Sequence, residues 1–116
     1  MSDVTIFHNP QCSTSRQTLE IIREAGVEPT IVLYKEVGWT ADQLQRLAGR
    51  AGVPVSAFLR AKEPLAQELG LTGPEVSEDT VTRAMVEHPN LVERPLVESP
   101  RGVVMARPKE RVREIL

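Results

Sequence analysis

Val4-Thr5-Ile6-Phe7-His8-Asn9-Pro10-Gln11-Cys12-Ser13-Thr14-Ser15-Arg16 is a short apolar run, a polar turn and the opening of a helix. Val4 to Phe7 reads as a buried strand. The helix spans Ser13 to Ala25. Ser13, Thr14 and Ser15 are candidate caps, Leu19, Ile22 and Ala25 recur at helical spacing, and Gly26 is the stop. Ile31-Val32-Leu33-Tyr34 is rich in β-branched residues and reads as a second strand. Strand, helix and strand within about 30 residues form a βαβ unit, with the two strands expected parallel. Cys12, the only cysteine, therefore stands where a strand hands over to a helix. Unpaired amides and the positive end of the helix dipole gather there. They favour a thiolate over a thiol, and equally a bound oxyanion. An ordinary thiol of pKa about 8.5 is about 3% ionised at pH 7; lowered to about 6.5 it is about three-quarters ionised. His8 adds to this effect where it is close and protonated.

Outward from that stretch the chain changes character. Thr40-Ala41-Asp42-Gln43 resembles a capping box, followed by Leu44, Leu47, Ala48 and Ala51 at helical spacing, and Gly52 and Pro54 end the helix. Short helices follow around Ser56 to Arg60 and from Pro64 to Leu69, stopped by Gly70. Ser77 opens another, with Glu78 and Asp79 in its first turn and Pro89 closing it. Residues 40–88 thus read as an all-helical insertion, expected to pack on the same core within one domain of residues 1–116. Trp39 anchors its start, and His88 is a core or cap residue. Leu96-Val97 and Val103-Val104-Met105 flank a turn and form an antiparallel hairpin. Pro108 suits the first turn of a last helix buried through Val112, Ile115 and Leu116.

A chain of 116 residues, 41% hydrophobic and 26% charged, suits one globular domain. With one cysteine it closes no internal disulfide, which points to a reducing compartment. No apolar run reaches the ~18 residues of a membrane span, and Met1-Ser2-Asp3 opens no signal peptide, so a cytoplasmic protein is expected. One cysteine and two histidines are too few for a structural zinc site, so no metal is expected. The net charge of −2 argues against nucleic acid as the main partner. That charge is uneven, −5 over residues 1–93 and +3 over residues 94–116. A basic tail on an acidic body marks an anion site or a solvated basic helix.

A βαβ unit with cysteine at its first helix start, then a ββα unit, is the thioredoxin-like order: α/β, with a mixed four-stranded sheet and here the helical insertion. In such folds a cis proline precedes the third strand, and Pro95 is the candidate. Cys12-Ser13-Thr14-Ser15 puts serine where the redox pattern C-x-x-C has its resolving thiol, so an outside thiol is needed to complete a reductive cycle. The segments I-F-H-N-P-Q-C-S-T-S-R-Q-T-L-E, V-E-P-T-I-V-L-Y, E-H-P-N-L-V-E-R-P-L-V and A-R-P resemble the glutaredoxin-linked arsenate reductase family over nearly the whole chain. The resemblance implies reduction of arsenate to arsenite, with Cys12 as nucleophile and His8 helping to keep it ionised. It implies that Arg60, Arg94 and Arg107 surround the oxyanion; spacing alone does not choose them among eleven arginines. Asn9, Ser15, Arg16 and Pro95 take supporting roles, although Asn9 reads equally as a turn residue and Ser15 as a helix-start residue. The implied partners are arsenate, glutathione as co-substrate and glutaredoxin, with no bound cofactor, no membrane and a monomeric chain. Two other functions fit the order of elements. One is a glutathione or protein disulfide oxidoreductase, against which the arginine set argues. The other is an Spx-like regulator binding RNA polymerase, many of which carry the Cys-x-x-Cys that Ser15 breaks.

Overall fold

β1 (Thr5–Phe7) runs parallel to β2 (Thr30–Val32), with Ile6 opposite Ile31, and α1 (Ser13–Glu24) connects them. On its other side β1 pairs antiparallel with β3 (Leu96–Ser99), which forms a hairpin with β4 (Gly102–Met105). The sheet order is β2-β1-β3-β4, a mixed sheet of the expected βαβ–ββα kind. This computed structural model describes residues 3–73, 75–93 and 95–116. The chain divides into two compact units, Met1–Val37 with Arg94–Leu116, and Gly38–Glu93.

The core of the sheet unit joins Ile6 of β1, Leu19 and Ile22 of α1, Val97 of β3 and Val112 near the C-terminus. Ile6, Ile22, Val97 and Val112 are fully enclosed. Side chains of that size contribute about 1.5–3 kcal/mol each on burial. The buried stripe of α1 is Ser15, Thr18, Leu19 and Ile22 with Ile21, so two polar residues lie under the helix. Thr18 satisfies its hydroxyl by donating to the Thr14 carbonyl at 2.7 Å. Ala25, expected on the apolar face, is instead the exposed C-cap.

Two elements differ from the sequence reading. β2 ends at Val32 rather than Tyr34, because its partner β1 stops at Phe7 where the Asn9-Pro10 turn departs. Without a strand to pair with, the chain closes a helical turn, α2 (Tyr34–Val37). Glu36 and Val37 donate to the Leu33 carbonyl at 2.9 and 3.1 Å. The last helix is a 3₁₀ helix, Lys109–Ile115, following a cis Arg107–Pro108 peptide. Its buried residues, Val112 and Ile115, are three apart, and a three-residue turn puts such a pair on one face. Ser99 ties this helix to the hairpin by donating to the Ile115 carbonyl at 2.6 Å.

The second unit contains α3 (Ala41–Ala51), a 3₁₀ helix at Val55–Phe58, α4 (Pro64–Glu68), α5 (Glu78–Glu87) and a 3₁₀ turn at Pro89–Leu91. The expected caps form: Thr40 accepts from the Gln43 N–H at 3.1 Å, and Ser77 from the Thr80 N–H at 3.2 Å. Gly52 ends α3 at φ 72°, a conformation that favours glycine. Trp39, Leu44, Leu47, Phe58 and Met85 are buried there. His88 is the half-exposed C-cap of α5. No helix among the described residues is long and apolar enough to cross a membrane.

Candidate active site

β1 delivers the chain to a tight turn. The His8 N–H donates to the Val32 carbonyl at 2.8 Å, so the ends of β1 and β2 are tied together. The Cys12 N–H then donates back to the Asn9 carbonyl at 3.0 Å, which closes a turn over Pro10 and Gln11. Proline suits the second position of such a turn because its φ is preset. Asn9 reinforces it, its Oδ1 accepting from the Gln11 N–H at 3.0 Å. Arg16 braces the outside, donating from Nη1 to the Pro10 carbonyl at 2.7 Å.

Cys12 leaves this turn as the N-cap of α1, with extended backbone at φ −97° and ψ 122°, and its carbonyl accepts the Arg16 N–H. It is half-buried and not in a disulfide, and its side chain makes no capping hydrogen bond. The first-turn amides of a helix lack intrahelical partners, so this thiol stands at a concentration of N–H donors.

Beneath it lies a buried polar hub. Ser15 is 0% and His8 6% exposed, and their Oγ and Nδ1 are 2.6 Å apart. The same Oγ accepts from the Asn9 N–H at 3.1 Å. Burial, then the positive charges of Arg16 and Arg23, hold the His8 pKa below its usual 6.5. The ring is therefore neutral at pH 7. The Ser15 hydroxyl can donate to Nδ1 while it accepts from the Asn9 N–H, and in that tautomer the ring proton sits on Nε2. Desolvation and the two guanidinium groups thus work against the protonated form of His8 that would help hold a thiolate.

The lowered pKa has a consequence for stability. Above pH 6.5 the ring is neutral in both folded and unfolded chains. As pH falls through 6.5 the unfolded chain binds a proton that the folded chain resists, so stability is lost toward the lower, folded pKa. Urea midpoints at pH about 7.5 and about 5.5 will therefore fall more in the natural protein than in His8→Gln. Equal falls would remove His8 from this linkage.

Arg107 lines a cavity of about 400 Å³ with Thr14 of the first turn of α1, Pro108, Lys109 and Glu110. Lys109 was not singled out from the sequence. Its ammonium lies 3.3 Å from Gln17 Oε1 on α1, and the basic surplus after residue 93 was its only signal. Pro95 is buried before β3, its carbonyl accepting the Ala106 N–H at 2.9 Å. Arg94, and with it the Arg94–Pro95 peptide expected to be cis, lies outside the described residues.

Arg60 belongs to the helical unit. Its N–H donates to the Leu91 carbonyl at 2.7 Å, next to a bridge between Leu59 and Val92. Its Nε lies 3.7 Å from Glu63 and 3.8 Å from Glu93 carboxylate oxygens. The backbone there is fixed by pairing, and the guanidinium is partly neutralised within its own unit.

A mixed four-stranded sheet with cysteine opening its first helix defines a thioredoxin-like thiol protein. The chain belongs to the ArsC family, whose model matches residues 7–115. It is 46% identical over 116 residues to an arsenate reductase of Escherichia coli K12, covering all of this chain and 82% of that protein. An arsenate reductase of Yersinia enterocolitica is 45% identical with the same coverage. An arsenate reductase from Vibrio cholerae has a solved structure that superposes with a TM-score of 0.93 at 41% identity, over 97% of both chains.

Proposed function

We propose that the protein reduces arsenate to arsenite through a thiolate at Cys12, with electrons from glutathione and glutaredoxin. The observation that carries this reading is the position of Cys12, a half-buried sole cysteine capping α1 at the end of β1. The full-length likeness to arsenate reductases supports it.

Arsenate is a tetrahedral oxyanion, and its approach to a thiolate brings two negative species together. Amides at the start of α1 and guanidinium groups offset that repulsion. Cys12 Sγ bonds to As(V) as one arsenate oxygen leaves as water. Glutathione thiolate then bonds to arsenic as a second oxygen leaves as water. A glutaredoxin thiolate takes the glutathione as a mixed disulfide, and the two electrons left behind reduce As(V) to As(III). Hydrolysis releases arsenite and returns the Cys12 thiol. Two external thiols are oxidised to one disulfide per arsenate, so no metal or flavin is required. Ser15 is locked into the hub with His8 and Asn9, which leaves resolution of the adduct to external thiols. Asn9 and Arg16 hold the turn that presents Cys12.

The family resemblance assigns Arg60, Arg94 and Arg107 to the oxyanion. Loss of one charge-assisted contact costs about 1.5–3 kcal/mol. Arg107→Ala and Arg60→Ala are each expected to lower kcat/KM for arsenate roughly 10–150-fold. Arg60 belongs at the lower end, because Glu63 and Glu93 already share its charge. An unchanged kcat/KM in either variant removes that arginine from the substrate.

The reading places the protein as a monomer in a reducing cytoplasm, where glutathione is kept as thiol. An assay coupling NADPH oxidation to arsenate, glutathione, glutaredoxin and glutathione reductase tests it. Arsenate-dependent consumption is expected. Consumption driven only by an added disulfide would make the protein a disulfide oxidoreductase, and no consumption would favour a non-enzymatic regulator.

A further inference from the structure

The carboxyl ends of the parallel strands β1 and β2 open onto a second cavity of about 270 Å³ in the sheet unit. His8, Asn9 and Gln11 line it from one strand end, and Leu33, Lys35 and Glu36 from the other. Crevices at the carboxyl ends of parallel strands are where α/β sheets bind ligands. Its wall includes Pro10 and Gln11, the turn that leads directly into Cys12.

Two of its lining side chains are more than nine-tenths buried and hold uncommitted donors. His8 has Nδ1 engaged with Ser15, and its Nε2 has no partner among the described residues. Asn9 has Oδ1 engaged with the Gln11 N–H, and its amide nitrogen is likewise without a partner among the described residues. Neither nitrogen counts among the fully enclosed side-chain atoms without a partner, so both keep access to the cavity, where a ligand acceptor can reach them. The proposed reaction does not use them on arsenate. At the exposed rim stand one cation, Lys35, and one anion, Glu36. Two nitrogen donors in its lining, with a charge of each sign at the mouth, suit a zwitterionic ligand that carries carboxylate and carbonyl acceptors.

We propose that this cavity seats the peptide thiol that reduces the Cys12 adduct, its acceptors on His8 Nε2–H and the Asn9 amide and its charged ends on Lys35 and Glu36. The assignment of that thiol as glutathione rests on the function proposed above. Seated here, the tripeptide approaches Cys12 from the Gln11 side of the turn. The cavity lined by Thr14 and Arg107 then stays open to the oxyanion.

The test uses S-methylglutathione, which can neither reduce nor exchange, added to the ¹⁵N-labelled full chain without arsenate. Saturable amide shifts confined to His8, Asn9, Gln11, Cys12 and residues 33–36 are expected. Shifts centred on Thr14, Arg107, Lys109 and Glu110, or no saturable shifts, overturn the proposal. In turnover, Lys35→Glu is expected to raise KM for glutathione about fivefold or more, since it reverses the cation at the mouth. An unchanged KM for glutathione also overturns it. Binding at 33–36 together with absent arsenate turnover would instead refute the arsenate reading and leave the cavity as a peptide-thiol site.

Discussion

Cys12→Ser abolishes arsenate-dependent turnover, by roughly 10³-fold or more, while the protein stays folded. The chemical half of this expectation follows from the nucleophile. A serine hydroxyl ionises far above the range of a thiol, and the imidazole of His8, four residues before it, is committed to Ser15 through Nδ1. Even if an oxygen ester of arsenate formed, thiols would have no sulfur–arsenic bond to resolve. The structural half follows from the position. Cys12 is the N-cap of α1 and its side chain makes no capping bond. Serine is among the strongest N-cap residues, worth up to about 1 kcal/mol at such a site. The variant should therefore melt at the same temperature as the natural protein or slightly above it. Thermal unfolding beside the coupled NADPH assay separates the two effects. Substantial residual turnover ends the role of Cys12 as nucleophile, whereas lost turnover with a collapsed melting transition would reveal a structural role for the thiol.

The fold was legible wherever local chemistry and tertiary demand coincide. Leu19 and Ile22 recur at helical spacing and do face the core; Thr40, Ser77 and Gly52 are good caps and do cap. It was illegible where a neighbour's geometry decides. Leu33 and Tyr34 have strand-like company, yet β1 has already turned away at Phe7, so the backbone satisfies itself in a helical turn. Val112 and Ile115 fit either helix type, and only the packed helix distinguishes a turn of three residues.

The placement of the candidate site divides the same way. Cys12 at the start of a helix could be read from the order of apolar run, turn and cap. The charge state of His8 could not, since it depends on how deeply the ring is buried and on Arg16 and Arg23 nearby. Ser15 read as an ordinary helix-start residue, and nothing in spacing announces that its hydroxyl serves two buried partners. The ion-pairing of Arg60 with Glu93 was equally hidden, because it joins residues far apart in sequence through the pairing of 58–60 with 91–93.

Ser15→Ala is expected to destabilise the sheet unit more than any exposed change in the same loop. The hydroxyl is completely buried, accepts from the Asn9 N–H at 3.1 Å and contacts His8 Nδ1 at 2.6 Å. Alanine preserves the helix but leaves a buried amide and a buried ring nitrogen unpaired at once. Each orphaned group costs about 1–3 kcal/mol, so the pair costs about 2–6 kcal/mol. For a chain of this size that lowers the melting temperature by roughly 8–30 °C. Ser13→Ala, at an exposed position one turn-residue into α1, is expected to stay within about 0.5 kcal/mol and serves as the internal comparison. The position also predicts where the damage spreads: Asn9 holds the turn that presents Cys12, so the amides of Asn9, Gln11 and Cys12 should exchange faster with solvent in Ser15→Ala than in Ser13→Ala. Equal melting temperatures and equal exchange in the two variants would mean that water replaces the hydroxyl without loss, and the hub would then be packing around the site rather than its support.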